Sequence, residues 1–219
     1  MRVHIRLSLL AAVLAAGLPS VARAGAPTPK LTAASGLVHV AFEIPNGLAT
    51  AIFPDDIAVG ETFSGTFEAP AGFVLAQGSQ RAKAGRTFVW RVPATGPEGM
   101  LLVLRDRAGA DVGQIALKPP TASAQETAFR VPAMIQTGRP FPVHGPFDGR
   151  ASTTRVAVGR KPATVIAESV RRAILRAPAG VVGVTSAAVR ESGRRFTGDV
   201  RSLGLDVTPA EPGAGRVER

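Results

Sequence analysis

Apolar and polar residues alternate with a period of two along most of this chain, which is the rhythm of half-buried strands. Val38, Val40, Phe42 and Ile44 alternate with His39, Ala41 and Glu43, and Pro45-Asn46-Gly47 follows as a turn. Residues 49–53 can return as a strand and stop at Pro54-Asp55-Asp56. Phe63, Gly65 and Phe67 share one face of 61–68, and Phe88, Trp90 and Val92 share one face of 87–92. Residues 72–77, 100–104 and 112–117 complete the first series, with Asp106 to Asp111 as a polar turn before Lys118-Pro119-Pro120. Short strands divided by frequent turn signals predict a sandwich or barrel.

Residues 121–127 hold no large apolar side chain and read as a linker. A second series follows at 133–135, 140–144, 154–158, 163–167, 173–176, 183–189 and 198–205. Residues 162–176 fit two elements. Ile166, Val170 and Ile174 recur four apart, with Pro162 placed to start a helix and Pro178 to end it. A β-hairpin turning near Glu168-Ser169-Val170 fits equally well locally, and the surrounding strands favour it. Gly65 in mid-strand predicts a bulge or a close backbone approach.

The first 24 residues depart from this rhythm. A basic start with Arg2 and Arg6, an apolar run at 7–18, Pro19, and Ala22-Arg23-Ala24 form the pattern of a secretory signal peptide cleaved before Gly25. The apolar run is short of the roughly 20 residues that a spanning helix needs. Removing 24 residues from 219 leaves 195, enough for one large or two small domains. Residues 209–219 have almost nothing to bury and read as a disordered tail. The expected division is a signal peptide (1–24), a linker (25–36), a sandwich (37–120), a linker (121–128), a second sandwich (129–208) and the tail.

Cysteine is absent, which excludes disulfides and an N-terminal lipid anchor. The net charge of +10 falls to +7 once Arg2, Arg6 and Arg23 are removed, and most of the excess is arginine after Arg150. A basic surface favours anionic partners. Against nucleic acid, the chain has no Tyr and a single Trp, so arginines are not interleaved with stacking rings. An Arg-rich solvated surface is the favoured account of the charge.

Chemistry is hard to place. Without Cys or a Gly-x-Ser-x-Gly elbow, nucleophilic catalysis has no obvious centre. The two mature histidines, His39 and His144, fall one in each half and read as strand residues. No cluster has zinc spacing. Asp55-Asp56 and the Asp106/Asp111 turn offer oxygen ligands for calcium, but they lack Asp-x-Asp-x-Asp spacing and read as polar turns. Glu43, Glu61 and Glu68 lack the aromatic platforms of a glycosidase, and Trp90 is in phase with the core. No catalytic, cofactor-binding or metal-ligating residue is assigned.

Residues 139–192 resemble the immunoglobulin-like IPT/TIG domains. The likeness rests on Gly145, Phe147, Val156, Val158, Gly159, Ala163, Val165, Ser169, Pro178 and Gly180. They match a strand-Gly-x-Phe opening, a V-x-V-G-x-x-x-A-x-V hairpin, a second hairpin after a Ser, and a Pro-x-Gly turn. The resemblance implies an immunoglobulin-like sandwich over about 129–208, acting as spacer or binding module, and supports the hairpin at 162–176. The first half is similar to uncharacterised bacterial exported β-sandwich proteins around Asp55-Asp56 and residues 59–65. The expectation is an all-β chain of two tandem immunoglobulin-like sandwiches. Its expected role is that of an exported, non-enzymatic binding or scaffold protein in the periplasm, at the cell surface or in the medium, working through protein contacts. The alternative is binding of an anionic polymer (nucleic acid, lipopolysaccharide or acidic glycan) by the Arg-rich half. A carbohydrate-binding accessory role ranks third, for want of aromatic residues.

Overall fold

The computed structural model describes residues 29–204, except 46, 95–98 and 122–123. The expected signal peptide and C-terminal tail lie outside the described residues. The fold is all-β, with two tandem β-sandwiches. In the first half the strands are β1 (Lys30–Ala34), β2 (Leu37–Ile44), β3 (Gly47–Pro54), β4 (Thr62–Glu68), β5 (Val74–Gln77), β6 (Gln80–Lys83), β7 (Arg86–Arg91), β8 (Met100–Arg105) and β9 (Asp111–Leu117). In the second they are β10 (Met134–Gln136), β11 (Pro140–His144), β12 (Arg155–Val158), β13 (Lys161–Glu168), β14 (Arg172–Arg176), β15 (Gly183–Glu191) and β16 (Arg194–Leu203).

In the N-terminal sandwich, the sheet β1-β2-β3-β4-β7 faces the sheet β6-β5-β8-β9. The alternating positions meet between them: Val40, Phe42, Phe63, Phe67, Trp90, Leu102 and Leu104 are all buried. Phe63 packs edge-on against Phe88 and Trp90, the geometry that aromatic quadrupoles favour. Gly65 is the expected close approach, since a Cβ there would overlap the Ile52 carbonyl oxygen. Two strands escape the alternation. β1 occupies part of the expected 25–36 linker and is held at the edge by pairing with β2 through a tight Ser35-Gly36 turn, both residues at positive φ. β6 buries only Ala82.

The C-terminal sandwich sets β13-β12-β15-β16-β10 against β11-β14-β13 around Phe141, Val143, Val156, Leu175, Val189 and Val200. Residues 162–176 form the hairpin. β13 pairs with β12 through residues 161–163 and with β14 through residues 164–168, with a bulge between Val165 and Ala167, so one bent strand serves both layers. β15 and β16 are longer than the alternation suggests. Their turn is only Ser192-Gly193, both at positive φ, and it brings the charged stretch 190–195 into the ladder.

The halves meet along a buried seam. Glu168 at the end of β13 pairs with Ser64 of β4. Leu37 and Ile52 from the first half pack with Ile166, Ala167 and Ile174 from the second. Among the described residues no helix is long and apolar enough to cross a membrane.

Candidate functional site

Three groups of side chains converge on or beside the seam. The first is an ion-pair cluster carried by the β13–β14 turn. Ser169 Oγ accepts from the main-chain N–H groups of Arg171 and Arg172, both at 3.2 Å, and this turns both arginines toward the first half. Arg171 is buried and forks onto Glu61, with Nη1 to Oε1 at 2.7 Å and Nη2 to Oε2 at 2.8 Å. Its Nη2 also donates to the Asp56 carbonyl. Arg172 pairs with Asp55, and its Nε lies 3.2 Å from Asp56 Oδ2. Burial pushes the Arg171 guanidinium toward easier deprotonation, but the hydrogen bonds and charges of Glu61 and Asp56 outweigh it and raise its pKa above the ordinary value. Asp55-Asp56 is thus a docking element between sandwiches, a role that a polar turn does not announce.

Behind this cluster lies a second group, three carboxylates from three elements. Asp148 comes from the β11–β12 loop, Glu168 from the end of β13 and Glu191 from the end of β15. One oxygen of each lies within 4.8 Å of the others. The loop is pinned to the first half, because Ala151 N–H donates to Ser64 Oγ at 3.1 Å. Gly149 passes so close, at φ +77°, that a Cβ would overlap the Thr62 carbonyl oxygen. Asp148 is oriented by the Arg150 N–H at 2.7 Å and by Thr153 Oγ1 at 3.0 Å. Glu191 accepts from the Asp148 N–H at 3.2 Å and from the Thr154 hydroxyl.

Glu168 differs from both. It is fully buried, and neither carboxylate oxygen has a hydrogen-bond partner. The single Thr154 hydroxyl proton goes to Glu191. Burial pushes the Glu168 carboxyl from 4.5 up to about 8; the nearby Thr154 side chain offsets part of this, and the negative charges of Glu191 and Asp148 add to it. None of the ion pairs among the described residues involves any of the three acids.

The third group lines an open groove of about 570 Å³ between the outer faces of the two halves. Its floor is Ala157, Ala188 and Pro162, and β7 contributes Thr87 and Val89. Register places Arg155 opposite Arg190 and Arg190 opposite Arg195, so three exposed arginines form one row across β12, β15 and β16. Like charges directly opposite each other destabilise a sheet. Arg155 donates to the Ser152 and Thr154 carbonyls at 2.8 and 2.9 Å, and none of the three is in an ion pair among the described residues.

Of the residues weighed in the sequence, Asp55, Asp56 and Glu61 meet in the ion-pair cluster, and the others do not converge. His39 lies on β2 and His144 on β11. Asp106 Oδ1 accepts from the Ala110 N–H at 2.9 Å, and Asp111 accepts from Arg105 Nε at 2.8 Å, both within their own turn. Glu43 pairs with Lys30, Glu61 with Arg171, and Glu68 is exposed on β4. Trp90 is core. Asp148, Glu168 and Glu191 escaped notice because they sit 20 and 23 residues apart in unrelated strings.

No family model and no curated protein matches the chain. Among solved structures, it is similar to the Bacteroides ovatus mixed-linkage glucan utilization locus protein SGBP-B, in complex with a mixed-linkage heptasaccharide. That likeness has 10% identity and a TM-score of 0.29 over 78% of this chain and 55% of that one, little more than half its length. A γ-CGTase from alkalophilic Bacillus clarkii gives 12% identity and a TM-score of 0.31 over 81% of this chain and 26% of that one. An ICAM-5 D1–D4 ectodomain fragment gives 18% identity and a TM-score of 0.24 over 81% and 62%. At such scores the likenesses carry no functional inference.

Proposed function

We propose that the chain is an exported, non-enzymatic binding protein of the bacterial envelope or cell surface. The groove beside Arg155, Arg190 and Arg195 would take an anionic polymer. In this reading residues 1–24 direct export, residues 37–120 and 129–208 are the two domains, and the second is of IPT/TIG type. The observation that supports it is the arginine row. Three arginines in one cross-strand row, with no ion-pair partner among the described residues, cost the fold stability, and a bound polyanion would offset that cost. The groove lining contains no aromatic side chain on which a base could stack, which favours an acidic glycan over single-stranded nucleic acid.

Retention on immobilised heparin tests the reading. Replacing Arg155, Arg190 and Arg195 together by Ala should move elution to clearly lower salt. Replacing the exposed Arg86, Arg107 and Arg139, with the same loss of charge, should move it much less. Equal shifts in the two triple variants would reduce the effect to net charge and remove the groove from it.

A second reading, contact with a protein partner, has its own observation. Met134, Val182, Val184 and Leu203 are exposed at one end of the β10-β16-β15 sheet, with Met134 and Val184 on either side of Arg201 in one cross-strand row. Val184→Lys should abolish cross-linking to an envelope partner if this patch is the contact, and leave heparin retention unchanged.

A further inference from the structure

The geometry points to a calcium site formed by Asp148, Glu168 and Glu191 at the seam between the two sandwiches. Two oxygens that each lie about 2.3–2.6 Å from one ion are at most about 5 Å apart. The three carboxylates, with one oxygen of each within 4.8 Å of the others, can therefore reach a common ion without movement of the strands that carry them.

An acidic cluster alone would not suffice. The second observation is Glu168, fully buried and aimed into the cluster with both oxygens unpartnered. A buried polar group of that kind is costly unless something satisfies it. The protein does not spend a cation of its own there, although Arg171 and Arg172 are only three and four residues further along the chain. Both are committed to Asp55, Asp56 and Glu61. Meanwhile Asp148 and Glu191 are held in place by Arg150, Thr153 and Thr154, so two ligands are oriented and a third waits without a donor.

The donor set decides the ion. All three ligands are carboxylate oxygens, which suit hard cations and disfavour zinc and copper. They come from a loop and two strand ends, a mixed set that calcium's flexible coordination accepts more readily than magnesium's near-ideal octahedron. The ion would join the loop pinned to Ser64, the strand end paired with Ser64 and the end of β15, and so tighten the seam. The site adjoins the arginine groove, since Glu191 follows Arg190 in β15 and the Thr154 that donates to it lines the groove, but its test does not involve a polyanion.

The test is calorimetric titration of the chelator-treated full chain with CaCl2, alongside thermal melts. The expected result is single-site binding and a rise in Tm of about 5 °C or more at calcium a hundredfold above the dissociation constant. Glu168→Gln, which keeps the shape but cannot release a proton to the solvent and ionise against the ion, should weaken calcium binding at least tenfold and abolish the Tm shift. Should that variant fail to fold, Asp148→Asn on the half-buried loop gives the same reading. Asp106→Asn, in its separate turn, should bind as the parent does. The site is overturned by no heat and no Tm shift up to about 10 mM calcium, above the range of weak extracellular modules. An equal response to magnesium, or an undiminished calcium response in Glu168→Gln, overturns it as well.

Discussion

Arg171 and Glu61 form a two-point fork across the seam, at 2.7 and 2.8 Å, from opposite sandwiches and 110 residues apart in sequence. Breaking one side of a buried pair leaves the other charge uncompensated, which typically costs about 3–5 kcal/mol. Arg171→Ala should therefore destabilise the chain by several kcal/mol in urea. It should also split a single unfolding transition into two, because it strands Glu61 and leaves Asp56 with Arg172 alone at the junction. One unbroken transition with an unchanged midpoint would show that the fork does not couple the halves.

Glu168 predicts an unusual pH profile for the metal-free chain. Its folded pKa, about 8, lies above the ordinary 4.5. The folded state therefore holds a proton that the unfolded state has released, and the stability this group contributes is full below 4.5 and is lost as pH rises through 8. The groups facing it, Asp148 and Glu191, are acids, so their ionisation reinforces this direction. Urea melts in chelator at pH 5 and pH 8.5 should differ by a few kcal/mol, on the scale of about 1.4 kcal/mol per pKa unit. Glu168→Gln should flatten the slope. Parent and variant profiles that run parallel would place the proton elsewhere.

The arginine row carries an opposed pair of consequences. Arg190 stands between Arg155 and Arg195 in the ladder. Arg190→Thr removes two like-charge contacts and adds a good strand former, so stability should rise by about 0.2–1 kcal/mol. Heparin retention should fall in the same variant. A loss of both stability and retention would mean that Arg190 serves the fold.

Gly149 tests how closely the loop rests on β4. A Cβ there would overlap the Thr62 carbonyl, and φ is already +77°. Gly149→Ala should cost more than about 1 kcal/mol, whereas Gly109→Ala, which has open space around it, should cost only the backbone strain of its own positive φ. Equal losses, read from urea midpoints, would show that the loop lifts away freely.

What could be read in the sequence was what alternates. Phe63, Phe88 and Trp90 sit in phase and became core, and the close backbone approach at Gly65 answered to a residue without a side chain. The hairpin at 162–176 was locally ambiguous because Ile166 and Ile174 are eight apart with Val170 midway, which suits a helix. In the folded chain both face the neighbouring sandwich, together with Leu37 and Ile52. The features of the seam had no local signature. Asp55-Asp56 reads as a turn until Arg171 and Arg172 arrive from more than a hundred residues away. The arginine row was invisible because 190–195 is polar enough to pass for a loop, and only the two-residue Ser192-Gly193 turn puts Arg195 opposite Arg190.

The way the halves meet also bears on any attempt to cut the molecule in two. A fragment ending before residue 121 would present Asp55, Asp56 and Glu61 to solvent, together with the bare edge of Ser64. Its counterpart would expose Arg171, Arg172 and the side chains of Ile166 and Ile174. Each piece would be sticky toward the other and toward itself. Dissection should thus yield aggregation-prone halves that recover solubility on mixing, so the smallest well-behaved unit is the joined pair.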